Sequence, residues 1–289
     1  MTSGLLDLWD KEGDKFMMNY WFMGNPFSMI TVVLIVFASI YVLGPRYSKS
    51  LQQRDLRPIM LIANGTVFGI IGMGFMLGLF LTSLGADCFK CDGSLPQDSD
   101  LRTAALKMIA FMYVMTKLLE FQRPLFASLR GSSASDHYKS PGYMLFLFGQ
   151  LFMSYIGGVF YPGGPLVFWP MFDAIVMIGA YGYLVLRLAS PELHPSPVWI
   201  NVISVLRFMS CFLIMIHSYV FAKACATTST KMTYLLTVSF YYNCALVAGQ
   251  IGSFLLSKRG KECGRNQRTL PKKVGNECNN NKSGIAHGH

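Results

Sequence analysis

The hydrophobic positions fall into seven long blocks separated by short polar stretches: Ser28–Gly44, Pro58–Leu81, Ala104–Phe121, Tyr143–Tyr161, Leu166–Leu188, Val198–Phe221 and Met232–Leu256. Each has about the length needed to cross a hydrocarbon core roughly 30 Å thick. Backbone amides in lipid find no water, so such blocks must close their own hydrogen bonds as helices or as barrel strands. Barrel strands run only about ten residues and alternate in polarity; these blocks are longer and continuous. The pattern predicts an all-α polytopic membrane protein with about seven transmembrane helices. It divides the chain into an N-terminal segment (1–27), a membrane domain (28–257) and a basic tail (258–289) predicted to be disordered.

Composition agrees with the pattern. Hydrophobic residues make up 52% of the chain and charged residues 14%, against about 25% charged in soluble domains. The N-terminal segment mixes Asp7, Asp10, Glu12 and Asp14 with Lys11 and Lys15. It has no apolar core with a cleavage site, so the first span is expected to serve as its own insertion signal. The net charge of +10 does not call for a nucleic-acid partner, because eight of the 25 basic residues crowd into the tail from Lys258 to Lys282. With seven spans the ends lie on opposite faces. Sixteen Lys and Arg then share the face of the tail and seven the other, which predicts a cytosolic C-terminus and a lumenal or external N-terminus.

Cysteine placement depends on that orientation. Cys88 and Cys91 fall between spans two and three, and Cys225 between spans six and seven. Both connections lie on the non-cytosolic side, where disulfides persist. A bridge from Cys225 to Cys91 is predicted, with Cys88 as the alternative to Cys91. No second Cys or His pair at zinc spacing accompanies them, so no metal site is expected. Cys211 and Cys244 read as packing residues inside spans. The glycines of span two, Gly69, Gly72, Gly74 and Gly78, read as close helix packing.

Several short stretches together resemble the very-long-chain fatty acid elongase family, the membrane-bound 3-ketoacyl-CoA synthases. They are Trp21-Phe22-Met23-Gly24-Asn25-Pro26 before the first span, then Leu43-Gly44-Pro45-Arg46 with a basic loop and Asn64 after it. Lys117-x-x-Glu120, Phe126 and Leu129-Arg130 resemble the family's signature on span three. Pro162-Gly163-Gly164 follows span four, and Trp199, Ser204 and Leu206 lead through span six toward Cys225. The resemblance covers about residues 15 to 262. It implies an endoplasmic-reticulum protein in which six helices enclose an acyl-chain tunnel, with acyl-CoA and malonyl-CoA as substrates or ligands and no bound cofactor. It also implies lipid contact, and association with other elongases and with enzymes of the elongation cycle.

The family's chemistry rests on an H-x-x-H-H run in span four. Imidazole is nucleophilic near neutral pH and shuttles protons, and the i, i+3, i+4 spacing places three rings on one helix face. Here the run reads Phe146-Leu147-Phe148-Gly149-Gln150, so Phe146, Gly149 and Gln150 occupy the histidine positions. Other family positions change with them. The family's Asp-Thr after the glutamate is Arg123-Pro124. Its N-x-x-x-H pattern in the next span aligns with Met171 and Ile175, and its glutamines in span six with Arg207 and Ser210.

Four polar residues inside spans remain as candidates: Lys117, Glu120, Arg207 and His217. Ionisable groups at membrane depth are costly unless they are paired or face a cavity, and so mark function by default. Lys117 and Glu120 stand three residues apart on one helix face, either as a pair that orients helices or as a remnant of the mouth that meets coenzyme A. Arg207 either binds a phosphate or pairs with Asp173. His217 reads as a bonded interior group, and His137, His194, His287 and His289 fall in polar stretches. The expectation is an elongase-family member impaired in catalysis. Two alternatives stand beside it: an acyl-CoA-binding or regulatory partner of active elongases, and an unrelated seven-helix receptor.

Overall fold

The computed structural model describes residue 11 and residues 13–51, 56–85, 89, 101–130, 141–160, 164–190, 197–226 and 233–249. Among these every regular element is helical. A short helix α1 (Lys15–Met18) leads to α2 (Pro26–Ala38), which continues through a π-helical turn (Ser39–Leu43) into α3 (Gly44–Leu51). Then come α4 (Arg57–Leu81), α5 (Leu101–Leu119), α6 (Gln122–Arg130), α7 (Pro141–Phe160), a 3₁₀ turn (Gly164–Val167), α8 (Phe168–Ala189) and α9 (Pro197–Ala224). A last helix, α10, covers 233–249.

Among the described residues five stretches are long and apolar enough to cross a membrane: Pro26–Ser48, Arg57–Leu81, Tyr143–Phe160, Phe168–Ala189 and Val205–Ala224. The protein is a multi-pass membrane protein. Helix α5 falls outside that set because it carries Arg102, Lys107 and Lys117, and α10 meets the limit of the described residues after 17 positions. Large apolar side chains such as Leu34, Ile62 and Phe80 are 63%, 70% and 81% exposed. On a membrane-spanning bundle that is the surface lipid covers.

The short motifs have local causes. Asn25 caps α2 by accepting from the Phe27 N–H at 2.9 Å, and Pro26 at the first helical position has no N–H to leave orphaned. A Cβ on Gly24 would press into the Met18 carbonyl. The π turn loosens the helix ladder, and the carbonyl of Ile40 accepts from Ser128 Oγ of α6 at 2.6 Å. Gly44 lets α6 come that close, because a Cβ there would collide with the Ser128 side chain. Pro124 lacks the N–H that would reach the Glu120 carbonyl, so α5 ends at Leu119 and the chain restarts as α6.

Two arginines close helix ends. Arg57 donates from Nε to the Leu188 carbonyl (2.6 Å) and from Nη2 to Ala189 (3.2 Å). Arg102 donates from Nε to Leu81 (2.7 Å). Each satisfies terminal carbonyls and sits at the negative end of a helix dipole.

The largest buried cluster joins the N-terminal segment to α2, α5 and α7, through Met17, Phe22, Met23, Val33, Val114, Leu151 and Val159. A second joins α4 to α8 through Val67, Ile71, Ala174, Met177 and Tyr181. Within lipid such contacts hold through close packing more than through exclusion of water. The N-terminal segment is strapped down by polar contacts as well. The Asp14 N–H donates to Val159 O (2.8 Å), Asp14 Oδ1 caps α1, and Asp14 Oδ2 meets Lys107 Nζ at 2.8 Å.

The glycines of α4 correct the reading made from sequence. No atom lies within 4 Å of a Cβ built on Gly69, Gly72, Gly74 or Gly78, so they are not places of close helix packing among the described residues. The close approach between α4 and α8 is made by Gly182 instead, whose absent Cβ leaves room for the Phe68 ring at 3.2 Å.

Candidate functional site

Helices α5 and α8 bring four polar side chains together inside the bundle. Lys117 Nζ donates to Glu120 Oε1 at 2.9 Å and is ion-paired with Asp173 of α8. Tyr113, one turn before Lys117, donates its hydroxyl to Asp173 Oδ2 at 2.9 Å, and Met177 Sδ lies 3.4 Å from the ammonium. The side chains of Lys117 and Glu120 are each 3% exposed and that of Asp173 15%. Helical geometry explains the grouping, since residues 113, 117 and 120 share one face of α5. Asp173 is the acid of α8 and faces them.

Electrostatics makes the cluster a clamp. Burying a charge costs several kcal/mol, recovered only when partners are close and hydrogen-bonded. One ammonium against two carboxylates leaves an excess negative charge. Arg123 brings a cation to the same neighbourhood: its guanidinium lies 4.0 Å from the centre of the buried Tyr181 ring. An ammonium that donates to two carboxylates has no lone pair with which to attack a thioester. The clamp can fix two helices and present charge to a ligand.

The histidine positions form a second group, on α7 with α9 and α10. The Phe146 ring lies under the Arg207 guanidinium at 5.2 Å, and its carbonyl faces the Tyr242 hydroxyl at 3.5 Å. A Cβ on Gly149 would stand 2.7 Å from Tyr242 Cε2 and 2.8 Å from its hydroxyl. The space a side chain at 149 would need is therefore held by Tyr242. Gln150 is buried, and its Oε1 has no hydrogen-bond partner among the described residues. Arg207 rests on Phe146, and the pairing with Asp173 allowed from sequence is not made, because Asp173 is engaged by Lys117 and Tyr113.

Ser154 connects the two groups. Its hydroxyl donates to the Gln150 carbonyl at 2.7 Å, and with Tyr113 it lines an open apolar cavity between α5, α7 and α10. A second open apolar cavity lies between α4, α5 and α8.

The remaining candidates lie elsewhere. His217 stacks flat on Phe168, with centroids 3.9 Å apart and planes 3° apart, and touches Phe221 and Phe89. Cys225 is fully buried and disulfide-bonded; Cys88 and Cys91 lie outside the described residues, as do His137, His194, His287 and His289. Met171 lines the second cavity, while Ile175 is 44% exposed on the outer face of α8. Among the described residues no three His, Cys, Asp or Glu side chains gather to hold a metal ion.

Sequence reasoning missed Tyr113 and Tyr242. The signal for Tyr113 was its spacing, four residues before Lys117 on the same face. Tyr242 carried no signal, since nothing local to α10 shows that it crosses to α7.

Residues 21–248 match the GNS1/SUR4 (ELO) family. The chain belongs to that family. Among relatives, it is 26% identical over 227 residues to very long chain fatty acid elongase 1 of Homo sapiens, covering 74% of this chain and 76% of that one. It is 25% identical over 226 residues to very long chain fatty acid elongase 1 of Mus musculus, with the same coverage. The matched span of the ELO family runs from Trp21 to Ala248. It takes in both the Lys117 clamp and the stretch from Phe146 to Gln150.

Proposed function

We propose that this ELO-family chain binds long-chain acyl-CoA but does not condense it with malonyl-CoA. The acyl chain occupies the cavity lined by Tyr113 and Ser154, and the thioester end lies toward Arg207 and the clamp of Lys117, Glu120 and Asp173. One observation carries this reading. The three positions expected to hold histidines carry Phe146, Gly149 and Gln150, and the room beside Gly149 is taken by the Tyr242 ring. Phenylalanine and glycine offer no side-chain nucleophile, and a carboxamide is a very poor one. Acyl transfer has no acceptor there.

The protein resides in the endoplasmic-reticulum membrane with its N-terminus lumenal and its C-terminus cytosolic, an orientation supported by the excess of Lys and Arg on the tail side. It acts by holding acyl-CoA beside active elongases or the enzymes that process their products. The test is condensation by the purified chain, with labelled malonyl-CoA and a panel of acyl-CoAs, beside an active elongase as positive control. The expected result is no product across the panel, together with acyl-CoA-dependent thermal stabilisation. Ligand at a hundredfold excess over its Kd adds about 2.7 kcal/mol. Product that disappears in Lys117→Ala or His217→Ala would establish a relocated active site and refute the proposal.

A further inference from the structure

Two carboxamides stand just beyond the cavity between α5, α7 and α10. On α7, Ser154 lines that cavity and Gln150 lies one turn before it; on α10, Ser239 lines it and Asn243 lies one turn after. The two helices run antiparallel, because Tyr242 meets Phe146 and Gly149 while Ser239 shares the cavity wall with Ser154. Side chains four residues apart share a helix face. Gln150 and Asn243 therefore continue the two serine faces at one level, on the Phe146 side of the cavity. They are 3% and 0% exposed, and Gln150 Oε1 and Asn243 Oδ1 have no hydrogen-bond partner among the described residues. The nitrogen of Asn243 donates to the Ser239 carbonyl at 2.8 Å, which leaves its oxygen as the orphan.

We propose that these two carboxamide oxygens form an acceptor site that recognises a hydroxyl on the bound acyl thioester, a few carbons from the thioester itself. This inference rests on the reading that the chain binds acyl-CoA. A buried acceptor left without a donor carries the full cost of its desolvation, and a site built to bond a hydroxyl rejects the analogue that lacks one. The orphan oxygens accept and cannot donate, so they favour a hydroxyl over a ketone, whose oxygen also only accepts. One hydroxyl proton serves one of the two oxygens at a time, and both stand at the level it reaches. Its position on the ligand follows from the helix rise. Arg207 rests on Phe146, four residues and about 6 Å along α7 from Gln150. With the thioester toward Arg207, the carboxamides face the first few carbons of the chain. Farther along, the wall is formed by Met153, Ile156, Leu166, Trp169 and Leu235, where a hydroxyl meets mostly hydrocarbon.

The test compares ligands of one chain length on the purified full chain: a saturated acyl-CoA, and the same acyl-CoA carrying a 3-hydroxyl, a 3-keto group or a hydroxyl on its terminal carbon. The 3-hydroxyl ligand should bind about tenfold more tightly than the saturated one, equivalent to about 1.4 kcal/mol. The 3-keto and terminal-hydroxyl ligands should gain nothing. In Gln150→Met, which keeps the length of the side chain and removes the acceptor, the preference should fall to within about twofold, and in Asn243→Leu it should fall likewise. Gln150→Met removes an oxygen that has no partner, so it should fold as the parent does. It decides the test if Asn243→Leu, which also loses the bond to Ser239, does not fold. Equal binding of the saturated and 3-hydroxyl ligands by the parent would overturn the acceptor site and leave the acyl-CoA reading standing. A preference that survives in either folded variant, or that extends to the 3-keto or terminal-hydroxyl ligand, would overturn it too. Absence of binding by every ligand would overturn this inference and the reading it rests on together.

Discussion

The clamp on α5 and α8 and the stretch from Phe146 to Gln150 on α7 lie in one bundle and are built in opposite ways. Around Lys117 the polar residues are buried and mutually satisfied: Lys117 meets Glu120 and Asp173, and Tyr113 meets Asp173. Around Gly149 the packing is aromatic, with Tyr242 against Gly149 and Arg207 over Phe146. The difference follows from what each set of groups does for the fold. A buried charge cannot lose its partner without leaving an uncompensated ion, so the members of the clamp constrain one another. Aromatic contacts such as those around Gly149 carry no charge to strand, so each can be changed without leaving an ion behind.

The comparison breaks most visibly at Lys117. Lys117→Met leaves Glu120 and Asp173 as buried carboxylates without their cation, and should cost about 3–5 kcal/mol, read as a large fall in the midpoint of thermal unfolding in detergent. A variant as stable as the parent would mean that the clamp does not hold α5 to α8. Tyr113→Phe removes one hydrogen bond to a charged group and should cost about 1.5–3 kcal/mol in the same assay.

On the α7 side, Gly149→His drives a side chain into Tyr242 and should destabilise by about 1–3 kcal/mol through overpacking. The cost should shrink when Tyr242→Ala is added, so a double-mutant cycle reads the contact directly. Strictly additive losses would show that Tyr242 does not fill the position. Arg207→Gln is the mildest change, expected to cost about 0.5–1 kcal/mol, the worth of an exposed cation–ring contact. A much larger loss would reveal that Arg207 carries structure the Phe146 contact does not account for.

Much of the fold was legible in the chain. The apolar blocks placed α4, α7, α8 and α9 to within a few residues, because lipid imposes length and continuity on a helix. The break after Leu119 was less visible, since Pro124 ends the helix several residues before itself by failing to serve the Glu120 carbonyl. The Lys117–Glu120 spacing could be read locally. Its partner Asp173 could not, because two helices distant in sequence meet only when the bundle closes. The glycines of α4 misled for the same reason: a small-residue pattern shows that a backbone can be approached, and not that anything approaches it.

The N-terminal strap sets an order of assembly. Asp14 docks on Lys107 and on the Val159 carbonyl, so this segment, synthesised well before α7, has only part of its seat until α7 exists. At about 5–20 residues per second, the strap must wait on the order of ten seconds while the helices it will join are still being made. It is written early and fastened late, and until then Phe22, Met17 and Met23 lack the α7 side of their core.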